Sequence, residues 1–301
     1  MEKNYLSFIE SPQFFISTTI GLEEALEIEL KRHGFTNLIR QTGGIEVHCE
    51  IHQGLELNYK LRTAQRIYLL LKTINCSTKT ALYDKARTIA WDKIIEEGQE
   101  LSISTKGIPN SMASHFASQI IKDGIVDTCR KYKNGWRPEI TKEGEISILN
   151  VFQGNKAHVY LDTSGRSLSD RGFRRKTINT APLRESIARA ALELCGYQEG
   201  ITLVDGMTGT GTILLEAASW DHENEGPFQY HFWKFLESPK HPRKNLKFNF
   251  DNKLGIDLKR GNFPEHFPFV QRNFLEFRKP SPEGILILNP PYGDRLMDKD
   301  E

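Results

Sequence analysis

Four consecutive residues near the end of the chain, Asn289-Pro290-Pro291-Tyr292, suit chemistry on the amino group of a nucleobase. Such an amine is a poor nucleophile because its lone pair is delocalised into the ring, so a site must accept hydrogen bonds from both N–H groups. The Asn289 side-chain oxygen and the Pro290 carbonyl can be those acceptors, held rigidly by the prolines. Tyr292 can stack on a base that has left its helix. The motif predicts methyl transfer to a base amine placed in line with the donor; a proline-rich turn would explain Pro-Pro alone.

A second motif, Asp205-Gly206-Met207-Thr208-Gly209-Thr210-Gly211, follows an apolar run at 201–204 and precedes a helical pattern at 212–219. Glycines there let the backbone approach a ligand, and the start of the helix offers free N–H groups. Asp205 can accept from a cationic amino group, which suits S-adenosylmethionine better than a pyrophosphate. The turn has no lysine, which disfavours a phosphate-gripping loop. An ordinary strand-to-helix turn would explain the glycines alone equally well.

Asp257 ends the next apolar run, Leu254-Gly255-Ile256. An acidic residue at that point commonly accepts hydrogen bonds from the ribose hydroxyls of a nucleoside cofactor. The alternative is a solvated aspartate at a strand end. An insertion at 221–252 places Asp257 further behind the glycine turn than in a minimal fold.

The periodicity of the apolar residues predicts the elements that position these motifs. Strands are expected at 14–19, 45–49, 66–71, 100–105, 146–152 and 157–161, and helices at 21–31, 55–63, 82–90 and 114–132. This first part is an α+β region. A helix that starts at Pro182 then leads into strands at 201–204, 254–256, 269–270 and 285–288, whose connections imply a parallel sheet.

Length and composition limit the classes of protein. The 301 residues suffice for two or three domains, and a net charge of +1 excludes a uniformly basic coat for nucleic acid. The four cysteines are far apart, which argues against a zinc ribbon or a disulfide framework, and the nine histidines show no metal-ligand spacing. That spacing leads us to expect no bound metal. No membrane span or signal peptide is recognisable, so we expect a cytoplasmic protein.

Positive charge concentrates between the two halves. Residues 162–189 contain seven basic and three acidic residues, and a polyanion could bridge the halves there. The candidate RNA contacts are Arg166, Arg171, Arg174, Arg175 and Lys176. A second basic run at 240–247 is either a solvated face or an extension of that track. The aromatic residues between Phe228 and Phe235 could touch RNA, but packing is their expected use.

Several segments together resemble a known family. They are Phe15 to Glu29, Thr42-Gly43-Gly44-Ile45, the helix around 119–127, Leu161-Asp162-Thr163-Ser164-Gly165-Arg166-Ser167-Leu168, Arg171-Gly172-Phe173-Arg174 and Ala181-Pro182-Leu183-Arg184-Glu185. They look like the bacterial THUMP-domain RNA N2-guanine methyltransferases of the large-subunit rRNA methyltransferase K/L type. The resemblance covers nearly the whole chain.

The resemblance implies a ferredoxin-like domain at 1–63, an RNA-binding THUMP domain at 64–161, a basic linker at 162–181 and a Rossmann-like methyltransferase domain at 182–301. It assigns Asp205, Met207, Gly209, Gly211, Asp257 and Asn273 to S-adenosylmethionine, and Asn289, Pro290, Pro291 and Tyr292 to the target guanine. Two departures stand out. The first is that no helix is expected between Asp257 and the next strand, and that Asn273 stands where the family has an aspartate that contacts the adenine. The second is that the chain ends at Glu301, so we expect an incomplete domain, either a fragment or a natural truncation.

The sequence therefore predicts an S-adenosylmethionine-dependent enzyme that methylates N2 of a guanine in 23S rRNA. A tRNA guanine-N2 methyltransferase is the alternative among enzymes, because THUMP domains also grip tRNA. An adenine-N6 DNA methyltransferase would share Asn-Pro-Pro-Tyr but not a region like residues 1–161. A further alternative is a non-catalytic RNA-binding protein with a decayed cofactor domain. The sequence indicates neither the target nucleotide nor the oligomeric state.

Overall fold

The computed structural model of the protein describes residues 11–107, 109–110, 112–171, 183–237, 241, 246–277 and 283–290. Six residues with a predicted role lie outside this range: Arg174, Arg175, Lys176, Pro182, Pro291 and Tyr292. The described residues form two β-sheets and the helices that cover them.

The first part of the chain contains β1 (Gln13–Ser17), α1 (Glu23–Arg32), β2 (Leu38–Gln41), β3 (Gly44–His48), α2 (Ile51–Lys60), β4 (Arg66–Asn75), α3 (Lys79–Ala86), α4 (Trp91–Ile94), β5 (Glu100–Lys106), α5 (Ser114–Tyr132), β6 (Glu139–Ile140), β7 (Ile146–Gln153) and β8 (Lys156–Asp162). The second part contains α6 (Glu185–Leu194), β9 (Thr202–Asp205), α7 (Thr212–Ala218), β10 (Lys253–Asp257), β11 (Phe269–Gln271) and β12 (Gly284–Ile287).

One eight-stranded sheet, ordered β2-β3-β1-β4-β8-β7-β5-β6, runs through the whole first part. The long strand β4 joins its halves, because it pairs with β1 on one side and with β8 on the other, antiparallel in both cases. The regions predicted as ferredoxin-like and THUMP thus contribute strands to the same sheet. The pairing of β4 with β8 joins the two regions, and its register shifts once, between Leu70 and Lys72.

Alternating burial along the strands separates the two faces of this sheet. Phe14 and Ile16 of β1, with Ile45 and Val47 of β3, are buried in one apolar core with side chains of α1, α2, α3 and α5. Because successive side chains of a strand point to opposite faces, the residues between them face away from that core. The sheet therefore has one face that is covered by helices and an opposite face whose side chains lie outside that core.

The second sheet is parallel, with the order β11-β10-β9-β12. Helix α7 connects β9 to the insertion and is buried along its whole length, because it lies between this sheet and α6. Helix α6 in turn packs against α1 of the first part. The two sheets are thus held together through the helix pair α1 and α6.

The described residues of the insertion at 221–252 divide between the two parts: those from Asn224 to Phe235 pack against the first part, whereas Phe248 and Phe250 pack against the core beside the parallel sheet. The Asn224 side chain donates to the carbonyls of Asn58 and Leu61 at 2.9 and 2.6 Å, and the Tyr230 backbone N–H donates to the carbonyl of Thr163 at 3.2 Å. Four of its aromatic side chains, Phe228, Tyr230, Trp233 and Phe235, are buried in the core of the first part. Packing was the expected use of these rings, but their partner is the N-terminal region.

Most predicted elements are present, with small shifts at their ends. Helix α2 begins at Ile51 rather than at 55, because Glu50 and Gln53 form a capping box. Strands β2 and β6 and helix α4 were missed because they are only four, two and four residues long. As expected, no helix lies between β10 and β11, where every residue is described.

Candidate functional site

Asp205 ends β9, a strand flanked on both sides by parallel neighbours. It lies opposite Gly255 of β10 and Ile287 of β12. Its side chain is 1% exposed; Oδ1 accepts from the Met207 backbone N–H at 3.2 Å, and Oδ2 has no hydrogen-bond partner among the described residues. Burial raises the pKa of Asp205 to about 7, opposed by the Met207 N–H and assisted by the charge of Asp257. Oδ2 of Asp205 is therefore available to accept a hydrogen bond from a ligand.

The turn after Asp205 is fastened to both neighbouring strands. The Gly206 N–H donates to the Ile287 carbonyl at 3.1 Å, and the Thr208 N–H donates to the Ile256 carbonyl at 3.1 Å. The Thr208 hydroxyl adds bonds to the carbonyls of Asp205 and Ile256, both at 3.1 Å. Sequence reasoning missed Thr208, although a threonine between two glycines after a strand was a usable signal.

The two glycines with predicted roles both have left-handed backbone conformations, φ 53° at Gly209 and 79° at Gly211. A Cβ at Gly211 would lie 2.8 Å from Cζ of Phe267, whereas one at Gly209 would meet no atom within 4 Å. Gly209 is exposed, and its N–H donates to Oδ2 of Asp257 at 2.8 Å. The turn therefore presents open backbone at Gly209 and packed backbone at Gly211.

Asp257 and Asn273 lie beside this turn on consecutive strand ends. The Asp257 side chain accepts from Gly209 and from the Lys259 N–H, at 2.8 and 3.3 Å, and its backbone carbonyl accepts from the Arg272 N–H at 2.9 Å. Oδ1 of Asn273 accepts from the Leu275 N–H at 3.0 Å, so the bond to Leu275 does not use the amide nitrogen of Asn273. The predicted cofactor residues thus converge at the carboxyl end of the parallel strands.

Asn289 and Pro290 lie at the same edge, directly after β12, and both are exposed. The side chain of Leu288 lies over the Gly206 backbone, since a Cβ there would be 2.5 Å from Leu288 Cδ2. The start of the Asn-Pro-Pro-Tyr motif is therefore beside the glycine turn that follows Asp205. Pro291 and Tyr292 belong to the residues that the structure does not describe.

The predicted RNA contact at Arg171 needs correction. Its side chain is only 6% exposed and contacts protein groups: Nη1 donates to Glu216 Oε1 at 2.9 Å, Nε to Asn224 Oδ1 at 3.2 Å, and Nη2 to the Arg62 carbonyl. The local charge count treated it as a surface cation because the partner carboxylate is far along the chain. Arg166 is exposed and donates to the Glu225 carbonyl, at the wall of a cavity of about 360 Å³.

A buried ionic network joins the first part of the chain to α6 and α7. Arg62 donates to Oε2 of Glu216 through Nε and Nη2, at 3.2 and 3.0 Å. Arg189, also counted in the basic segment, lies 3.9 Å from Glu29 of α1, donates to Glu193 at 2.9 Å and lies 3.4 Å over the Trp220 ring. These arginines hold two domains together, a role that sequence reasoning did not assign.

Two findings concern other classes of site, within the limits of the described residues. No group of three or more metal-binding side chains comes together there. No helix in that part of the chain has the length and apolar character to cross a membrane.

Family models match three consecutive stretches of the chain: the RlmL ferredoxin-like domain at residues 13–68, the THUMP domain at 76–162 and the RMKL-like methyltransferase domain at 171–301. The chain thus consists of an RlmL-type ferredoxin-like domain, a THUMP domain and an RMKL-like methyltransferase domain, in that order. These matches confirm the resemblance and the predicted order of folds. A relative named ribosomal RNA large subunit methyltransferase K/L, from Magnetococcus marinus, is 31% identical over 320 residues. The match covers 94% of this chain but 44% of the relative, so the chain spans less than half of that protein's length.

Solved structures share the fold at lower sequence identity. A possible methylase from Clostridium difficile 630 has a TM-score of 0.80 at 24% identity, over 96% of this chain and 83% of that one. SMU.472, complexed with SAH, has a TM-score of 0.79 at 20% identity, over 96% and 82%. TrmN from Thermus thermophilus has a TM-score of 0.64 at 19% identity, over 94% and 80%.

Proposed function

We propose that this chain provides the cofactor pocket and RNA-binding region of a methyltransferase that moves a methyl group from S-adenosylmethionine to N2 of a guanine in 23S rRNA. The observation that carries the cofactor assignment is the buried, unpartnered Oδ2 of Asp205 beside the exposed backbone of Gly209. The domain matches and the name of the rRNA methyltransferase relative support the class of substrate.

The residues present fit the cofactor. The ammonium group of its methionine part would give Asp205 the missing partner and hold the carboxylate in its charged form, because a nearby cation lowers the pKa of an acid. Asp257 has acceptor capacity left for ribose hydroxyls, and the amide nitrogen of Asn273 is available to the adenine. Bound there, S-adenosylmethionine supplies an electrophilic methyl group on a sulfonium.

The target base would be held by the start of the Asn-Pro-Pro-Tyr motif. Oδ1 of Asn289 and the Pro290 carbonyl accept from the two N–H groups of the amine, which fixes the direction of the nitrogen lone pair. Both residues are exposed, as a site for an extruded base requires. The amino nitrogen would thereby be oriented toward the glycine turn; as the nitrogen–methyl bond forms and the sulfur–methyl bond breaks, the proton lost from the nitrogen would pass to solvent at this exposed edge.

Methyl transfer by the Asn289→Ala variant tests this proposal. We expect a loss of about 100-fold or more in the rate of transfer, with RNA affinity nearly unchanged, because the only role of the lost acceptor is to orient the amine. The readout is mass-spectrometric mapping of nucleosides in rRNA and tRNA from cells with and without the protein, complemented by the wild type or the variant. A matching loss of RNA binding would contradict the role of Asn289.

The same mapping separates the finer alternatives. N2-methylguanosine lost from 23S rRNA supports the proposed substrate, and loss from tRNA alone would replace it with the tRNA enzyme. Calorimetry of the wild type with S-adenosylmethionine completes the test. Tight RNA binding without cofactor binding would favour a non-catalytic RNA-binding protein.

A further inference from the structure

The face of the eight-stranded sheet that points away from the helices contains a groove of about 520 Å³. It runs across β3, β1, β4, β8, β7 and β5, so both halves of the sheet contribute to it. Its rim includes the turn at Thr42 and Gly43 and the residue Ser167. The groove therefore spans the junction between the ferredoxin-like and THUMP regions, where β4 pairs with β8.

Aromatic rings form the floor of this groove. Phe15 and Tyr160 have centroids 6.3 Å apart, and His158 lies 6.3 Å beyond Tyr160, so three partly exposed rings form a row. Tyr68, 6% exposed, lies 6.1 Å from Tyr160 and supports the row from below. Partly exposed rings spaced along a groove in this way can stack successive unpaired bases.

Charge and polarity around the rings favour an RNA strand over an apolar partner. Lys156 precedes His158 by two positions on β8, and Lys106 lies on β5 opposite Val151 of β7, the residue that pairs with His158. Neither lysine has an ion-pair partner within the described ranges. At the opposite end the carboxylate of Glu46 is engaged, accepting from Gln41 at 2.8 Å and contacting His48 at 3.0 Å. Two free cations thus lie at one end of the row, where phosphates would need them.

The imidazole of His158 fits stacking rather than ion pairing. Burial, together with the charge of Lys156, keeps the pKa of His158 below its ordinary value, which disfavours the charged form of the ring. Hydroxyl and amide side chains, Ser17, Thr73, Gln13 and Gln153, line the walls between the rings. Groups of this kind donate to and accept from the edges of bases that are not paired.

We propose that this groove binds a single-stranded segment of RNA, with bases stacked on Phe15, Tyr160 and His158 and phosphates near Lys106 and Lys156. A duplex would not fit this role, because its bases are stacked on each other and a protein reads it by shape and backbone. The inference deepens the proposed function, since it names the part of the RNA substrate that the N-terminal half holds. It implies that the target region carries an unpaired stretch at a distance from the modified guanine.

The test compares binding of a fluorescent uridine decamer with that of a duplex of the same length. We expect the double variant Phe15→Ala/Tyr160→Ala to bind the single strand about 100-fold more weakly, at about tenfold for each ring removed. Phe116→Ala is the matched control, because Phe116 is 49% exposed on α5, which packs against the other face. It should leave the affinity unchanged.

Two further measurements keep the outcome unambiguous. The ring-preserving variant Phe15→Tyr/Tyr160→Phe should retain binding, and thermal unfolding of the alanine variant should show that it remains folded. Unchanged affinity in the folded alanine variant, or equal preference for the duplex, would overturn the proposal. Calorimetry with S-adenosylmethionine separates the two proposals: cofactor affinity should be the same in all these variants, and absent cofactor binding with intact single-strand binding would reject the enzyme but not the groove.

Discussion

Two buried carboxylates in this molecule have opposite surroundings. Glu216, at the interface between the domains, is 0% exposed, and both its oxygens accept from guanidinium groups, those of Arg62 and Arg171. Asp205, at the end of β9, is 1% exposed, and one of its oxygens has no hydrogen-bond partner in the part of the chain that the structure describes. Burial of a charge is costly unless it is paired, so the first carboxylate belongs to the folded scaffold and the second is poised for a ligand.

Glu29 resembles Glu216, because it is also a buried carboxylate whose oxygens have partners. Burial alone would raise its pKa, but the charge of Arg189 and the donors from Thr63 and Arg62 hold the pKa below its ordinary value. Its oxygens accept from the backbone N–H of Arg62 at 3.0 and 3.1 Å and from the Thr63 hydroxyl at 2.6 Å. These bonds lie just after the end of α2 and hold the segment that places Arg62 beside Glu216. The network is therefore continuous from α1 to α7.

The largest effect is expected when the paired carboxylate is removed. Glu216→Ala leaves the buried guanidinium groups of Arg62 and Arg171 uncompensated, which should lower the free energy of unfolding by about 3–5 kcal/mol. Urea denaturation measures it. Glu27→Ala is the control, because Glu27 pairs with Lys31 and Arg40 near the surface and should cost about 0–1 kcal/mol. Equal losses in both variants would remove the distinction between the network and ordinary surface pairs.

Substitution of the unpaired carboxylate should have the opposite sign. The folded-state pKa of Asp205, about 7 against an ordinary 3.8, means that the folded protein loses stability as pH rises between these values. At about pH 8 and without cofactor, Asp205→Asn should therefore raise the free energy of unfolding, by as much as about 4 kcal/mol if the whole shift is realised. Below the ordinary pKa the two proteins should be equally stable.

The same variant should lose affinity for S-adenosylmethionine, because the amide cannot pair with an ammonium group as a carboxylate does. Unfolding curves at several pH values and calorimetry on the same samples give both readouts. A variant that is destabilised at high pH, or that binds the cofactor like the wild type, would contradict the assignment of Asp205.

The contrast also explains which features the sequence could reveal. Asp205, the glycine turn and Asp257 follow from local patterns, since each lies at the end of an apolar run and parallel strands bring such ends together. The ionic network could not be predicted, because Arg62 and Glu216 are separated by 154 positions. Arg171 was misinterpreted for the same reason: a basic residue looks solvated until its distant carboxylate is known. The succession of the longer strands and helices along the chain followed from periodicity, whereas short elements such as β6 contain too few residues for a pattern. The order of the strands within each sheet was not predicted, because it depends on contacts between distant segments.

A smaller effect on stability is expected to distinguish Gly209 from Gly211 in the glycine turn. Alanine is strained at both Gly209 and Gly211 because φ is positive, at a cost of about 1–2 kcal/mol. At Gly211 the added methyl group also meets Phe267 at 2.8 Å, whereas at Gly209 it points into open space. We therefore expect Gly211→Ala to unfold at lower urea concentration than Gly209→Ala.

A second substitution identifies the cause of that difference. Phe267→Leu in the Gly211→Ala background should recover part of the lost stability, which a double-mutant cycle measures as a coupling energy. The same change beside Gly209→Ala should be additive, because a methyl group there contacts no ring. Coupling of equal size at both positions would mean that the turn responds as one strained unit, and the separation between packed backbone at Gly211 and ligand-facing backbone at Gly209 would then be wrong.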